Sequence, residues 1–509
     1  MADAAALPRL RVPLLFLTVF VIAICGLIYE LTAGALASYV LGDSVTQFST
    51  VIGAYLSALG LGAWLSRYVQ HRIVERFVDV ELAVGLVGGL SAPLLFFAFG
   101  ELSYFRLVLY GSVALIGTLV GLEVPLLLRI LQRRIEFKEL IARVLSVDYL
   151  GALVASLLFP MFLVPQLGLT RTSLAFGAIN AAIGLWTTFI LQDEIRRPFG
   201  LRARGAAVLL LLAFGLACAD RLTLLAEDKL YANEIVYAKQ SAYQRIVVTR
   251  SAVGFQLFLD GNLQFASNDE YRYHEALVHP AFAATERHAD VLVLGGGDGL
   301  ALREIFKHDD VRRVTLVDLD PSMTDLGRRF PLLRALNRAA FDDPKLEVVN
   351  DDAMRWLANA PEQARYDVIV VDFPDPNNFS LGKLYTTRFY GLVRARLAGG
   401  GALVVQSTSP LFAPRSYWCI VQTLKNAGFA VRPYHANVPS FGEWGFALAK
   451  REAFPVPART PPAARYLDAG VMAALFVLGP DLQPVEAEVN RLDNQRLVRY
   501  YEDEWKRFN

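Results

Sequence analysis

Cysteine is scarce in this chain. Cys25, Cys218 and Cys419 stand far apart, with no CxxC pair and no Cys/His cluster. That excludes a disulfide framework and leaves no zinc-ligand spacing, so no metal is expected. An excess of one charge is also missing. The formal net charge is +1, which implies no bulk attraction to nucleic acid. Charged residues make up 19% of the chain against 54% hydrophobic residues, and mean hydropathy is +0.37. Ordinary water-soluble enzymes are more polar than that. The 509 residues leave room for two or three domains.

The apolar excess sits in residues 1–220. Runs long enough to cross a bilayer recur near 13–37, 46–66, 78–99, 105–128, 148–167 and 171–191, with a weaker seventh at 205–219. The first run is too long for a cleaved signal peptide, and the next follows at once. Basic residues gather in alternate loops. Arg9 and Arg11 precede the first run, and Arg67, Arg72 and Arg76 follow the second. Arg129, Arg133, Arg134, Lys138 and Arg143 follow the fourth, and Arg196, Arg197, Arg202 and Arg204 the sixth. The remaining loops carry Arg106 and Arg171. The positive-inside rule puts the N-terminus in the cytoplasm. Six crossings then leave the rest of the chain in the cytoplasm, and seven put it outside. The seventh run has about 15 apolar residues, short of the ~20 that a crossing needs, and also suits the interface. The expectation is a multi-pass cell-membrane protein, with the cytoplasm as the working location of its soluble half.

Glu30, Glu123 and Asp148 fall inside or at the ends of these runs. Carboxylates in hydrocarbon are costly and usually face a bundle interior. They read either as a cation path or as ties between helices, with Tyr29 and Tyr149 nearby. The small-residue stretches Gly53 to Gly62 and Gly85 to Gly89 predict close helix packing.

Beyond residue 220 the balance is that of a soluble α/β protein. The expected divisions are 221–285, 286–455 and a tail, 456–509. Arg245 to Thr249 and Phe255 to Leu259 read as strands, joined by the turn signal Asp260-Gly261, with a further short strand at Asn262 to Phe265. NDEYRYHEALVHP follows, and His274 and Glu275 open a helix expected to end before Pro280.

The stretch from Val291 to Asp320 organises this half. Four apolar residues form a buried strand, and Gly295, Gly296 and Gly297 form a turn. Asp298 and Gly299 follow, then a helix from Leu300 to about Lys307. A second strand, Val314 to Val317, ends on Asp318, near the interval of about 20 residues at which nucleotide folds place the acid for ribose hydroxyls. Leu300 stands where the third glycine of GxGxxG would be. Further strands end on Asp351-Asp352, on Asp372 followed by FPDP with Asp375, and on QSTSP. Each acid lies past the carboxyl end of a parallel strand, where open sheets bind ligands. Any one of them also suits a helix N-cap. Together they predict an anionic cleft. It would repel the carboxylate of intact S-adenosylmethionine and suit a sulfonium that has lost it, or a diamine, and one carboxylate could take a proton.

YQ at Tyr243-Gln244, LDGNLQ ending at Gln264, DEYRYHEALVHP, GGGDG, LVDLD, DDA and YDVIVVDFPDP, in this order, resemble the spermidine synthase family of aminopropyltransferases over roughly residues 240–450. With the apolar half, the chain is similar to the membrane-embedded bacterial type. The resemblance implies a multi-pass α-helical membrane domain followed by a soluble α/β domain, a small β-rich module plus a Rossmann-like, methyltransferase-type sheet. It implies transfer of the aminopropyl group of decarboxylated S-adenosylmethionine, a co-substrate rather than a prosthetic group, to a diamine. With putrescine, the family default, the products are spermidine and 5′-methylthioadenosine. Gln244, Gln264, Asp298, Gly295, Gly297, Asp318 and Asp352 would hold the donor. Asp372 would accept the amine proton. Tyr273, His274 and Asp375 would face the amine, and the loop Asp375 to Tyr385 would close over the site.

The chain departs from the family at Leu300, at Phe373 and Pro374 between the two acids, and at Phe441, where relatives use a tyrosine. The alternatives are a methyltransferase on the same sheet, or a polyamine transporter or sensor with a degenerate synthase domain. In the tail, 466–478 and 484–508 read as helices that cover the domain, form an oligomer contact or meet the membrane surface.

Overall fold

The computed structural model describes residues 11–41, 44–99, 102–132, 137–227, 231–459 and 461–506. Arg9, Arg133 and Arg134 of the basic loops lie outside these. The chain forms two compact units, Met1–Ile235 and Val236–Asn509.

The first unit is a helical bundle. Its long helices are Arg11–Leu41, Ser44–Leu65, Ile73–Phe99, Leu102–Leu131, Phe137–Leu158, Val164–Ile190 and Pro198–Ala217, with a shorter one at Ala219–Glu227. Six stretches are long and apolar enough to cross a membrane, the fifth being Lys138–Ile190, of 53 residues. That stretch is broken at Gly168, whose φ of 72° and ψ of 175° are not helical. At about 1.5 Å per residue, each side of the break reaches across a ~30 Å hydrocarbon core. The seventh run is longer than its apolar residues suggest, because its helix starts at Pro198 and includes two arginines. Arg202 donates to Thr188 O (3.1 Å) and lies over the Phe189 ring, while Arg204 pairs with Asp79 (2.9 Å). With those charges met, the helix packs beside 73–99 and 164–190.

Glycine spacing sets the close approaches. A Cβ on Gly85 would sit 2.8 Å from Gly177 O, and one on Gly62 would sit 2.9 Å from Gly121 Cα. Gly53 and Gly60 meet nothing within 4 Å, so the expected close packing holds at one end of that stretch only.

The second unit begins with an antiparallel sheet in chain order: β1 (Glu234–Gln240), β2 (Arg245–Ser251), β3 (Gly254–Leu259) and β4 (Asn262–Ala266). Asp260 and Gly261 turn the hairpin with φ of 49° and 80°, the left-handed geometry that such turns require. β1 was not expected as a strand. The helix Glu270–Ala283 follows and runs through Pro280 instead of stopping before it. Proline removes the N–H that would bond Ala276 O. Tyr434 Oη supplies the missing donor at 2.7 Å, so the helix continues.

The large sheet has the order β10-β11-β9-β8-β5-β6-β7. Its strands are β5 (Asp290–Gly295), β6 (Arg313–Asp318), β7 (Leu346–Asn350), β8 (Tyr366–Asp372), β9 (Leu397–Gln406), β10 (Ala430–Val438) and β11 (Gly442–Lys450). β5 to β9 are parallel, and the β10–β11 hairpin adds antiparallel. The central parallel strands β5 and β8 are largely apolar because both faces are covered, whereas β7, at the sheet's edge, is partly exposed. Leu300 is fully buried against Ile246, Val248, Phe265 and Met323, so it ties the glycine turn's helix to the small sheet.

In the tail the helices are short, Ala469–Ala474 and Arg496–Trp505. The segment between them runs largely without helix because tertiary hydrogen bonds hold it. Buried Asn490 donates from Nδ2 to Gly382 O (3.0 Å) and Tyr385 O (3.2 Å).

Candidate active site

Strand ends and two turns bring the acids together. Gly295, Gly296 and Gly299 have φ of 82°, 70° and 81°, so the turn after β5 doubles back tightly over the sheet edge. A Cβ on Gly297 would sit 2.7 Å from Asp318 Oδ2, and the Gly297 N–H donates to that oxygen at 3.0 Å. Asp320 N–H donates to Asp318 Oδ1 at 2.9 Å. Burial pushes the Asp318 carboxyl up to about 7, against the pull of those two amides.

Asp372, at the end of β8, accepts a hydrogen bond from Tyr273 Oη at 2.7 Å. Burial raises its carboxyl to about 6 and the Asp298 charge adds to this, while His274 and the Tyr273 hydroxyl pull it down. Asp298 caps its own turn by accepting from Leu300 N–H at 2.8 Å. Its carboxyl is raised by burial and lowered by His274.

His274 is held from behind. Its Nδ1 lies 2.8 Å from Glu270 Oε2, one helical turn earlier. Arg303 grips Glu270 with two bonds, Nη1 to Oε1 (2.7 Å) and Nη2 to Oε2 (3.0 Å), and its Nε donates to Glu304 Oε1 (2.8 Å). Burial alone would lower the His274 pKa, but the Glu270 carboxylate outweighs it and raises the ring to about 9. A fixed cation therefore stands among the aspartates.

Asp375 accepts from Gln406 Nε2 (3.3 Å), from Thr408 Oγ1 (3.0 Å) and from the Tyr501 hydroxyl. Burial pushes it up to about 6, and these donors oppose the rise.

Residues 270–456 match the Spermine/spermidine synthase domain. A polyamine aminopropyltransferase of Leptospira interrogans is 49% identical over 97% of this chain and 99% of that protein. Polyamine aminopropyltransferase 2 of Ralstonia nicotianae is 54% identical over 97% of this chain and 98% of its own. The chain belongs to the polyamine aminopropyltransferase family. A crystal structure of spermidine synthase in complex with the transition state analogue AdoDATO aligns with 48% of this chain and 86% of that one, at 25% identity and a TM-score of 0.45. Membership makes the protein an aminopropyltransferase and sets aside methyl transfer and a role limited to transport or sensing.

In this aminopropyltransferase, Gly295, Gly297, Asp298, Asp318, Tyr273, His274, Asp372 and Asp375 gather at the carboxyl edge of the parallel strands. Gln244 joins them through Asp320, to which its Nε2 donates at 3.1 Å. Gln264 Nε2 donates to Asn262 O on its own strand at 3.1 Å. Asp352 acts as a helix N-cap, accepting from Arg355 N–H (3.0 Å), and also pairs with Lys383 (2.6 Å). A cleft lined by Asp352, Met354, Arg355 and Lys383 opens beside it.

Sequence reasoning missed five participants. Asp320 was visible as the last acid of LVDLD, and it also caps the next helix through Ser322 N–H (2.9 Å). Glu270 was visible as an acid four residues before His274. Gln406 and Thr408 stand in QSTSP. Tyr501 had no local signal, because only the folded tail brings it to Asp375.

Proposed function

We propose that the enzyme moves the aminopropyl group of decarboxylated S-adenosylmethionine to a diamine, putrescine by family default, giving spermidine and 5′-methylthioadenosine. The observation that carries this reading is the Tyr273–Asp372 hydrogen bond beside Asp298 and His274, at the carboxyl edge of the sheet. An attacking amine must be neutral, since an ammonium has no lone pair. Asp372, pushed up to about 6, is ionised at neutral pH yet basic enough to take the amine proton. The amine nitrogen then forms a bond to the methylene carbon beside sulfur. The carbon–sulfur bond breaks, its electron pair goes to sulfur, and the sulfonium becomes a neutral thioether. A sulfonium leaves readily, so orientation and deprotonation are the protein's main contributions.

In this reading Asp318 accepts the ribose hydroxyls, and Asp298, with Gln244, lies along the aminopropyl arm. Asp352 and its neighbouring cleft take the adenine. Asp375 holds the far ammonium of the diamine, with Tyr273 and His274 between the two carboxylates. Gln264, with one N–H on Asn262 O, keeps its other N–H and its amide oxygen for the donor. The loop from Asp375 to Tyr385 covers the cleft, which keeps water from the sulfonium. The helical unit gives the enzyme its association with the bilayer.

Purified full-length protein, given decarboxylated S-adenosylmethionine and a panel of di- and triamines, is expected to release 5′-methylthioadenosine and one aminopropylated amine, identified by mass spectrometry. No product with any amine would overturn the reading. Tighter calorimetric binding of intact S-adenosylmethionine would overturn the choice of donor.

A further inference from the structure

We infer that Thr408 is a positioning residue that sets which length of diamine the enzyme takes, by fixing the Asp375 carboxylate in place relative to Asp372. This rests on the reading above, in which Asp375 holds the far ammonium.

Thr408 is fully buried and has a φ of 55°, in the left-handed region. That conformation is uncommon outside glycine and strained for a β-branched residue. The bonds around it impose the geometry. Thr408 N–H donates to Gln406 Oε1 at 3.1 Å, and Thr408 O accepts from Gly445 N–H at 2.7 Å. Ser407 N–H donates to Gly445 O at 2.9 Å. A Cβ on Gly445 would sit 2.7 Å from Thr408 O, so only glycine lets β11 come this near. The strained backbone aims the threonine hydroxyl, and Oγ1 donates to Asp375 Oδ2 at 3.0 Å. Glycine would adopt the same φ without strain, but it carries no hydroxyl.

Asp375 is otherwise fixed mainly through its backbone. Pro374 and Pro376 flank it, and Asn377 N–H donates to its carbonyl at 2.7 Å. The proline rings restrict the main chain here, which leaves the carboxyl torsions as the remaining freedom. Gln406 restrains them weakly. The two hydrogens of its Nε2 face three acceptors, Phe373 O (2.7 Å), Tyr385 Oη (2.9 Å) and Asp375 Oδ1, the farthest at 3.3 Å. Thr408 offers a whole hydroxyl at a shorter distance, and Tyr501 adds a second from the tail. Asp372 is tied in the same manner, by Tyr273 Oη at 2.7 Å. Two carboxylates, each held by a hydroxyl from another element, act as a ruler for the separation of two nitrogens. A chain one methylene longer or shorter puts one nitrogen off its carboxylate. A carboxylate free to turn would follow that nitrogen, and Thr408 prevents the turn.

The test measures steady-state kinetics of the full-length enzyme with unbranched diamines that differ by one methylene. Wild type should favour one length over its neighbours by about tenfold or more in kcat/KM. Thr408→Val keeps the shape without the hydroxyl. Thr408→Gly also lacks it and suits the backbone, should the valine variant fail to fold. Each should cut the preference about fivefold and raise KM for the best diamine, with KM for the donor kept within about twofold. Thr408→Ser keeps the hydroxyl and should keep the preference. No preference in the wild type, an undiminished one in the valine and glycine variants, or an equal loss in the serine variant overturns the proposal. A packing defect alone would lower kcat for every diamine alike and leave the preference standing. Asp375→Asn separates the two levels. It should raise KM for the best diamine more than either Thr408 variant does. If that KM stays unmoved, Asp375 does not hold the ammonium and the underlying reading falls. If it rises while the Thr408 variants keep the preference, only the role of Thr408 falls.

Discussion

Asp372 sits between opposing influences, and its behaviour with pH follows from them. Burial and Asp298 raise its carboxyl to about 6, while His274 and Tyr273 restrain it. The acid limb of kcat/KM is therefore expected to fall as pH drops through about 6. Tyr273→Phe removes a donor to the ionised form, so that limb moves to higher pH. Glu270→Gln should move it the same way by a longer route. Without Glu270 the His274 ring loses the partner that raises it to about 9, becomes neutral near pH 7, and no longer favours ionised Asp372. A pH–rate profile separates this from a structural defect, which would lower the plateau without moving the limb. Asp372→Asn should cost about 10²–10⁴ in kcat and leave 5′-methylthioadenosine binding intact by calorimetry. The raised His274 pKa also has a stability sign. A folded value of about 9 against 6.5 means stabilisation fully present below pH 6.5 and lost as pH rises through about 9. Thermal melts of the protein across that window check the direction.

Among the elements, two depend on single hydroxyls supplied from far along the chain. The C-terminal helix brings Tyr501 to Asp375, where the sequence had pointed to a missing tyrosine at Phe441. Tyr501→Phe should raise KM for the amine by about tenfold and leave KM for the donor near its original value, since a bond to a charged buried group contributes roughly 1.5–3 kcal/mol. Steady-state kinetics with each substrate varied in turn gives the comparison. The helix Glu270–Ala283 survives Pro280 because Tyr434 Oη reaches Ala276 O. Tyr434→Phe leaves that carbonyl buried and unpaired, a loss of about 1–3 kcal/mol that should lower the melting temperature. Tyr273 and His274 ride on this helix, so activity should fall with it.

For the molecule as a whole, the number of crossings decides which side the synthase unit faces. A cytoplasmic location was the expectation for six. The break at Gly168 divides the 53-residue stretch, and Pro198–Ala217 packs within the bundle, which makes seven membrane-length segments. Six crossings keep the synthase unit on the side of the basic loops, whereas seven, with both halves of the 53-residue stretch crossing, would carry it to the opposite face. A C-terminal alkaline phosphatase fusion is then expected to be active and a fluorescent fusion dark. The reverse result would restore the cytoplasmic location and require the Gly168 hairpin or the last helix not to cross.

The sequence by itself determined the apolar half, the glycine turn after β5, and the acids that end the parallel strands. These are local features: a run of apolar residues, a positive φ that only certain residues tolerate, and a strand that stops at a charge. His274 was legible in the same way, whereas Glu270, one helical turn before it, gained its role only from the fold. The sequence also allowed readings that the fold rejected, such as a helix over 484–508, because amphipathic spacing says nothing of the hydrogen bonds Asn490 makes elsewhere. Tertiary structure alone decided that Tyr501 reaches Asp375 and that Asp320 holds Gln244. Each is a contact between residues distant in the chain, set by how the elements pack and carried by no local pattern.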